Sequence, residues 1–171
     1  MDIIIRDVDI NDLEEIIDIQ ISSWRASYKG IIDDIILDSM DKDKMVERIK
    51  TNYQNGKFIV AINNNRVVGY CRYSLDNSYS IEYPVDCEIT ALYIKPELKY
   101  NGIGTKLFNY VVNELINMNK KKMIIWCLKD NYPSIKFYQK MGGVITYSKD
   151  FIKEDYKYPE VGLIYELNKK E

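Results

Sequence analysis

Histidine is absent from the 171 residues, and this absence excludes more than any other feature of the sequence. Ser-His-Asp and Cys-His catalysis and the common zinc sites all need an imidazole, so acid-base chemistry falls to carboxylates, Tyr, Lys or Cys. Cysteine is scarce. Cys71, Cys87 and Cys127 lie far apart, each in an apolar or alternating stretch, and none forms a C-x-x-C pair. Buried thiols in a reducing compartment are therefore expected, with no metal and no cysteine nucleophile. Charge of one sign is not in excess: 24 basic against 26 acidic residues leave a net charge of −2. Neither nucleic acid nor an anionic membrane surface is expected as a partner. No apolar run approaches the roughly 20 residues of a membrane span. Met1 to Arg6 is too short, and too soon interrupted by Asp and Arg, to be a signal peptide. A cytoplasmic location is the expectation. Repeats and low-complexity linkers are also lacking, so one domain, 1–171, is expected.

What is present reads as a mixed sheet with helices. Ile3 to Ile5 suits a short strand, and Asp9 followed by Asp12 resembles a helix start with an N-cap and a negative first turn. Leu13, Ile16, Ile17, Gln20, Ile21 and Trp24 then recur at helical spacing up to Gly30. A short helix over Asp33 to Met40 precedes a longer one capped by Asp41 and closed by Gly56. Beyond Gly56 the period becomes strand-like over Phe58 to Ile62 and Val67 to Leu75, with Asn63 to Asn65 suited to a hairpin turn. Asp76 to Pro84 reads as a loop and Cys87 to Ile94 as a strand. An amphipathic helix begins at Ile103, Met123 to Cys127 fits a buried strand, and Tyr132 to Met141 forms a last helix stopped by Gly142 and Gly143. Two final strands are expected at Val144 to Ser148 and Val161 to Leu167. Strand, helices, three strands, helix, strand, helix and two strands make an α/β to α+β arrangement.

The segment from Glu88 to Thr105 places a strand, a short loop with Gly102 and Gly104, and a helix start in succession. Amides at a helix N-terminus lack intrahelical partners and the dipole there favours an anion, so the pattern suits a pyrophosphate. Lys99 and Thr105 add polar side chains. Two glycines before a helix are also compatible with a simple tight turn. Other nucleotide motifs are missing: there is no G-x-x-x-x-G-K-[ST], and Leu107 stands where a dinucleotide fingerprint needs its third glycine.

The run Lys99-Tyr-Asn-Gly102-Ile-Gly104 resembles the R/Q-x-x-G-x-G/A loop of the GNAT superfamily of N-acetyltransferases, with Leu92-Tyr93-Ile94 before it resembling that family's cofactor strand. Lys99 departs from the usual Arg or Gln, keeping the charge but not the planar fork. Asn131-Tyr-Pro-Ser134-Ile-Lys-Phe137-Tyr138-Gln-Lys-Met-Gly142 resembles the family's N-x-x-[AS]-x-x-[FL]-Y-x-x-x-G-F, departing only at Gly143, where an aromatic is usual. Trp24, Tyr28 and Gly30 are similar to the W-x-x-x-Y-x-G element of one subgroup. The resemblance covers nearly the whole chain. It implies a mixed, largely antiparallel central sheet of about seven strands flanked by about four helices, with a V-shaped splay between the fourth and fifth strands. It also implies acetyl-CoA as cosubstrate, held by Leu92 to Ile94, Lys99, Tyr100, Asn101, Gly102, Ile103, Gly104 and Thr105, with Asn131, Ser134 and Tyr138. The acyl group then passes directly, without a metal, to a small-molecule or peptide amine, and homodimers are common among such enzymes.

Within that resemblance Tyr138 matches the tyrosine that protonates the departing thiolate; taken by itself it is equally a packed aromatic on an amphipathic helix. Glu88 stands where some members carry a catalytic glutamate, and otherwise reads as a salt-bridge partner or a solvated strand residue. Asn131 suits a helix cap or a cofactor contact. Trp24, Tyr28 and Tyr93 line either an acceptor pocket or the core, and the loops Asp76 to Pro84 and Asp150 to Pro159 are expected beside the acceptor. The competing readings are an acyl-CoA sensor without turnover, and an acyltransferase with another acyl donor or a hydroxyl acceptor.

Overall fold

The computed structural model describes residues 2–168. In chain order it forms β1 (Ile4–Asp7), α1 (Leu13–Tyr28), α2 (Asp34–Asp38), α3 (Lys42–Asn52), β2 (Lys57–Asn63), β3 (Arg66–Ser74) and β4 (Cys87–Ile94). There follow α4 (Ile103–Asn117), β5 (Lys122–Leu128), α5 (Tyr132–Lys140), β6 (Val144–Lys153) and β7 (Tyr156–Glu166). The seven strands run in the order β1-β2-β3-β4-β5-β7-β6. Pairing is mostly antiparallel, and β4 and β5 are parallel. α-Helices number five among the described residues, where the resemblance implied about four; α2 is the short helix read from sequence over Asp33 to Met40. None of them is long and apolar enough to cross a membrane.

The chain divides into two compact units. The first comprises Met1–Tyr73 and Ala91–Val112. Its core forms where one stripe of α1, Leu13, Ile16 and Ile19, meets Phe58 and Val60 of β2 and Val67 and Tyr70 of β3. α1 is entered through a capping box in which Asp9 and Asp12 each accept from a backbone N–H of that turn. Arg6 adds two bonds to Asp12, at 2.7 and 2.9 Å. Asp41 caps α3 by accepting from Lys44 N–H. The β2–β3 hairpin closes on Asn64 and Asn65 at φ 48° and 60°, the left-handed pair that a two-residue turn requires.

The second unit comprises Ser74–Thr90 and Asn113–Glu171. Its strands are the first half of β4, then β5, β7 and β6. The parallel ladder joins Cys87–Ile89 to Met123–Ile125, three of the eight residues of β4. These three are buried, and exposure begins at Thr90. The β6–β7 hairpin is much longer than expected. Asp150 to Pro159, read from sequence as a loop, is strand on both sides of a turn at Glu154, whose φ is 54°. Pro159 escapes the usual exclusion from inner strands because it lies one residue past the last β5–β7 pair, Leu128↔Glu160.

Candidate active site

In the first unit, the loop after β4 is shaped by two left-handed residues, Tyr100 at φ 67° and Gly102 at φ 78°. Nothing lies within 4 Å of a Cβ built at Gly102, so glycine is needed there for its backbone angle and not for space. The Asn101 amide donates to the carbonyls of Leu98 and Lys99 at 3.2 Å, which ties the loop to itself. The first helical bond of α4 runs from Lys106 N–H to the Gly102 carbonyl at 3.0 Å. The amides of Ile103, Gly104 and Thr105 precede it and have no partner inside the helix. Thr105 is exposed. Lys99 is turned toward α1, its Nζ donating to Ser27 Oγ at 2.7 Å, and burial lowers its pKa. Ser27 was not singled out from sequence, and nothing in its local pattern marks it.

Trp24, Tyr28 and Tyr93 come together in this unit as a hydroxyl-centred group. The Trp24 indole donates to the Tyr93 hydroxyl at 3.0 Å, and the Tyr28 hydroxyl is 3.4 Å from it. Ser23 fixes the end of β4 by donating to the Ile94 carbonyl at 2.9 Å. Gly69 on β3 admits β4, since a Cβ there would stand 2.7 Å from the Ile94 side chain. Leu92, Tyr93 and Ile94 are half-buried.

The second unit holds Glu88. Alternation along the strands puts Glu88 of β4, Ile124 and Trp126 of β5, Gly162 and Glu160 of β7, and Tyr147 of β6 on one sheet face. Glu88 is 1% exposed. Its Oε1 accepts the Tyr79 N–H at 3.0 Å and its Oε2 accepts the Ser80 hydroxyl at 2.7 Å. Burial raises its pKa, and these two hydrogen bonds oppose the rise. Glu88 thus anchors the Asp76 to Pro84 loop from below. Trp126 donates to Ser80 Oγ at 3.0 Å, and its ring packs against Tyr83 at 5.0 Å. The Lys149 ammonium sits over that ring at 4.1 Å and pairs with Glu160 at 3.7 Å. Gly162 makes room for the indole: a Cβ there would meet two of its ring carbons at 3.0 Å. Ser80, Tyr83, Trp126, Tyr147 and Lys149 were not predicted individually. Period-2 alternation from Glu88 offered a signal for Trp126, whereas Ser80 lies in an irregular loop with no periodicity to read.

Tyr138 lies on α5 and is buried. Asn131 caps that helix, its side chain accepting from Ser134 N–H, so the capping role is realised. Tyr165, which alternates onto the sheet face opposite Gly162, donates its hydroxyl to the Tyr138 carbonyl at 2.8 Å. The same residue accounts for Gly143: a Cβ there would stand 2.7 Å from Cζ and Oη of Tyr165. The aromatic missing from position 143 is thus matched by one arriving from β7. The thiols of Cys71, Cys87 and Cys127 are buried, and burial pushes all three up, Cys127 to about 12. Such thiols carry little thiolate. Among the described residues no group of three or more Cys, Asp or Glu side chains is placed to hold a metal ion.

Relatives are similar to the chain in sequence, and solved structures in fold, along most of its length. An N-acetyltransferase of Bacillus subtilis, YuaI, is 26% identical over 151 residues, covering 88% of this chain and 82% of its own. A protein of Thermoplasma acidophilum named spermidine N(1)-acetyltransferase is 29% identical over 167 residues, covering 90% and 97%. Among crystal structures, the PaiA N-acetyltransferase of Thermoplasma acidophilum in complex with coenzyme A superposes with a TM-score of 0.75 at 22% identity, over 97% of this chain and 99% of that one. YncA of Salmonella typhimurium with its cofactor acetyl-CoA gives 0.69 at 18%, over 98% and 95%. The sequence model of the acetyltransferase (GNAT) family matches residues 13–143, a span that contains the glycine loop, Glu88 and Tyr138, and the chain belongs to that family.

Proposed function

We propose that the chain moves the acetyl group of acetyl-CoA to the primary amine of a flexible aliphatic acceptor, by direct attack while both substrates are bound. The reading rests most on Glu88, a carboxylate that the fold buries on an aromatic sheet face yet leaves two of its four lone-pair positions for further hydrogen bonds. Acetyl-CoA would supply an activated acyl thioester. The residues fit its anionic end: left-handed Tyr100 and Gly102 lead into the open amides of Ile103, Gly104 and Thr105, and an exposed anion would meet backbone donors and the helix dipole there. One donor of Lys99 is engaged by Ser27, so the amides carry most of this role. The three-pair ladder between β4 and β5 supports a pantetheine arm lying along Leu92, Tyr93 and Ile94, with the Leu92 N–H polarising the carbonyl oxygen.

Glu88 takes the amine proton, directly or through a water, as the C–N bond forms. Tyr138 gives its phenolic proton to the departing sulfur as the C–S bond breaks. For the acceptor, the face around Glu88 combines the rings of Tyr83, Trp126 and Tyr147 with the carboxylate of Glu160. It already accommodates one alkylammonium, that of Lys149, which suits a cationic aliphatic amine. The Thermoplasma acidophilum relative named for spermidine supports the same class. Trp24, Tyr28 and Tyr93 are proposed as further acceptor contacts.

The test is calorimetric titration with acetyl-CoA followed by free-thiol release over polyamines, aminoglycosides, amino acids, peptides and hydroxyl acceptors. Release with aliphatic polyamines is the expected result. Binding without release on any acceptor would favour a sensor, and turnover preferring succinyl-CoA or a hydroxyl acceptor would overturn the acetyl or amine assignment. A single oligomeric species is read from sedimentation in the same preparation, where a homodimer is the expectation carried by the family.

A further inference from the structure

Ser80 and Trp126 belong to no motif, yet Ser80 hydrogen-bonds the buried carboxylate and Trp126 hydrogen-bonds Ser80. An indole N–H only donates and an ionised carboxylate only accepts. Ser80 Oγ, 3.0 Å from Trp126 Nε1 and 2.7 Å from Glu88 Oε2, must therefore accept from the indole and donate to the glutamate. The direction of this chain, Trp126 to Ser80 to Glu88, is fixed by donor chemistry. Its geometry is fixed by packing, since Ser80 is 2% exposed and the indole is held between Tyr83, 5.0 Å away, and the bare Cα of Gly162.

We propose that Ser80, oriented by Trp126, is the positioning residue of Glu88: it stabilises the carboxylate form and turns the free lone pairs toward the acceptor. This rests on the base reading of Glu88 given above. The hydroxyl and the Tyr79 N–H occupy one position on each oxygen, so the carboxylate cannot rotate without losing both. The charges facing Glu88 are Lys149 on β6, which favours ionisation, and Asp76 in the loop, which opposes it. Among the described residues neither hydrogen-bonds Glu88, and Ser80 is the side chain that does.

The experiment follows the Glu88 carboxyl by carbon NMR on glutamate-labelled protein, assigned by its loss in Glu88→Gln, alongside the pH dependence of kcat/KM in thiol release. Ser80→Ala should raise the carboxyl midpoint by about one pH unit, since a hydrogen bond to the charged form is lost. The acid limb of the rate profile should rise with it, while acetyl-CoA affinity is unchanged. Trp126→Phe keeps a ring beside Tyr83 but removes the donor, and should move both in the same direction by a smaller step. An unmoved carboxyl midpoint in both variants overturns the proposal. A midpoint that moves while the rate limb stays supports the positioning of Glu88 and removes Glu88 as the base.

Discussion

Gly143 departs from the family pattern for a steric reason, and the reason can be tested one residue at a time. A methyl group at 143 would meet Tyr165 at 2.7 Å and the Tyr138 carbonyl at 3.0 Å, closer than a packed interior tolerates. Gly143→Ala is expected to cost about 1–3 kcal/mol in thermal or urea unfolding. Tyr165→Phe should cost about 1 kcal/mol through loss of its bond to the Tyr138 carbonyl. Gly143→Ala at full stability would mean that Tyr165 does not occupy that space. The acid and base roles are equally local. Tyr138→Phe should lower kcat by about 10²-fold or more if the phenol protonates the thiolate, and an unchanged kcat would remove it from the mechanism. Glu88 is held above the ordinary glutamate range chiefly by burial. A base works only when ionised, so the rate should fall as pH drops through that raised value. Glu88→Gln should flatten this limb and lower the plateau; a variant profile identical to the parent's would exclude the base role.

The start of α1 shows how one element is set by three polar residues, Arg6, Asp9 and Asp12. Asp12 accepts two bonds from Arg6 and one from Asp9 N–H. Burial alone would raise its pKa, but the Arg6 pair and the Asp9 N–H outweigh it, so the folded value lies below the ordinary aspartate range. A depressed folded value means that the contribution is present above the unfolded pKa and is lost as pH falls through the folded one. Asp12→Asn should therefore destabilise the protein by about 1–2 kcal/mol at neutral pH, and the difference from the parent should shrink toward zero in acid unfolding. A pH-independent difference would assign the effect to packing. The cap at Asp9, the turn at Asn64 and Asn65, and the bounds of β4 were all legible in the sequence, because each follows from short-range chemistry or period-2 alternation. The two strands at Val144 and Val161 were legible as well, but the distal half of the β6–β7 hairpin was not. Lys149, Asp150, Lys153 and Pro159 look like loop composition, and only the cross-strand partners, Phe151 with Tyr158 and Lys149 with Glu160, turn that polar stretch into paired strand. The same limit applied to the site. Tyr138 stood in a recognisable motif and Glu88 at a spacing some family members share, whereas Ser27 and Ser80 bond partners 72 and 8 residues away.

At the scale of the whole molecule, cofactor binding should appear as stability. A ligand that binds only the folded chain adds about 2.7 kcal/mol at a hundredfold excess over Kd. For a chain of this size that corresponds to a rise in Tm of roughly 5–10 °C. Gly102 separates a phosphate loop from a plain turn in this measurement. Its φ of 78° would cost alanine about 1–2 kcal/mol, so Gly102→Ala should lower Tm without ligand on either account. The accounts part when acetyl-CoA is added. Where the amides of Ile103 to Thr105 hold the pyrophosphate, relaxing the strained loop turns those donors away from it. A tenfold loss of affinity would remove about 1.4 kcal/mol of the ligand's contribution, roughly half the rise in Tm. A variant that starts lower but gains the full rise binds its ligand without this loop, and Lys99 to Thr105 would then be only the turn that joins β4 to α4.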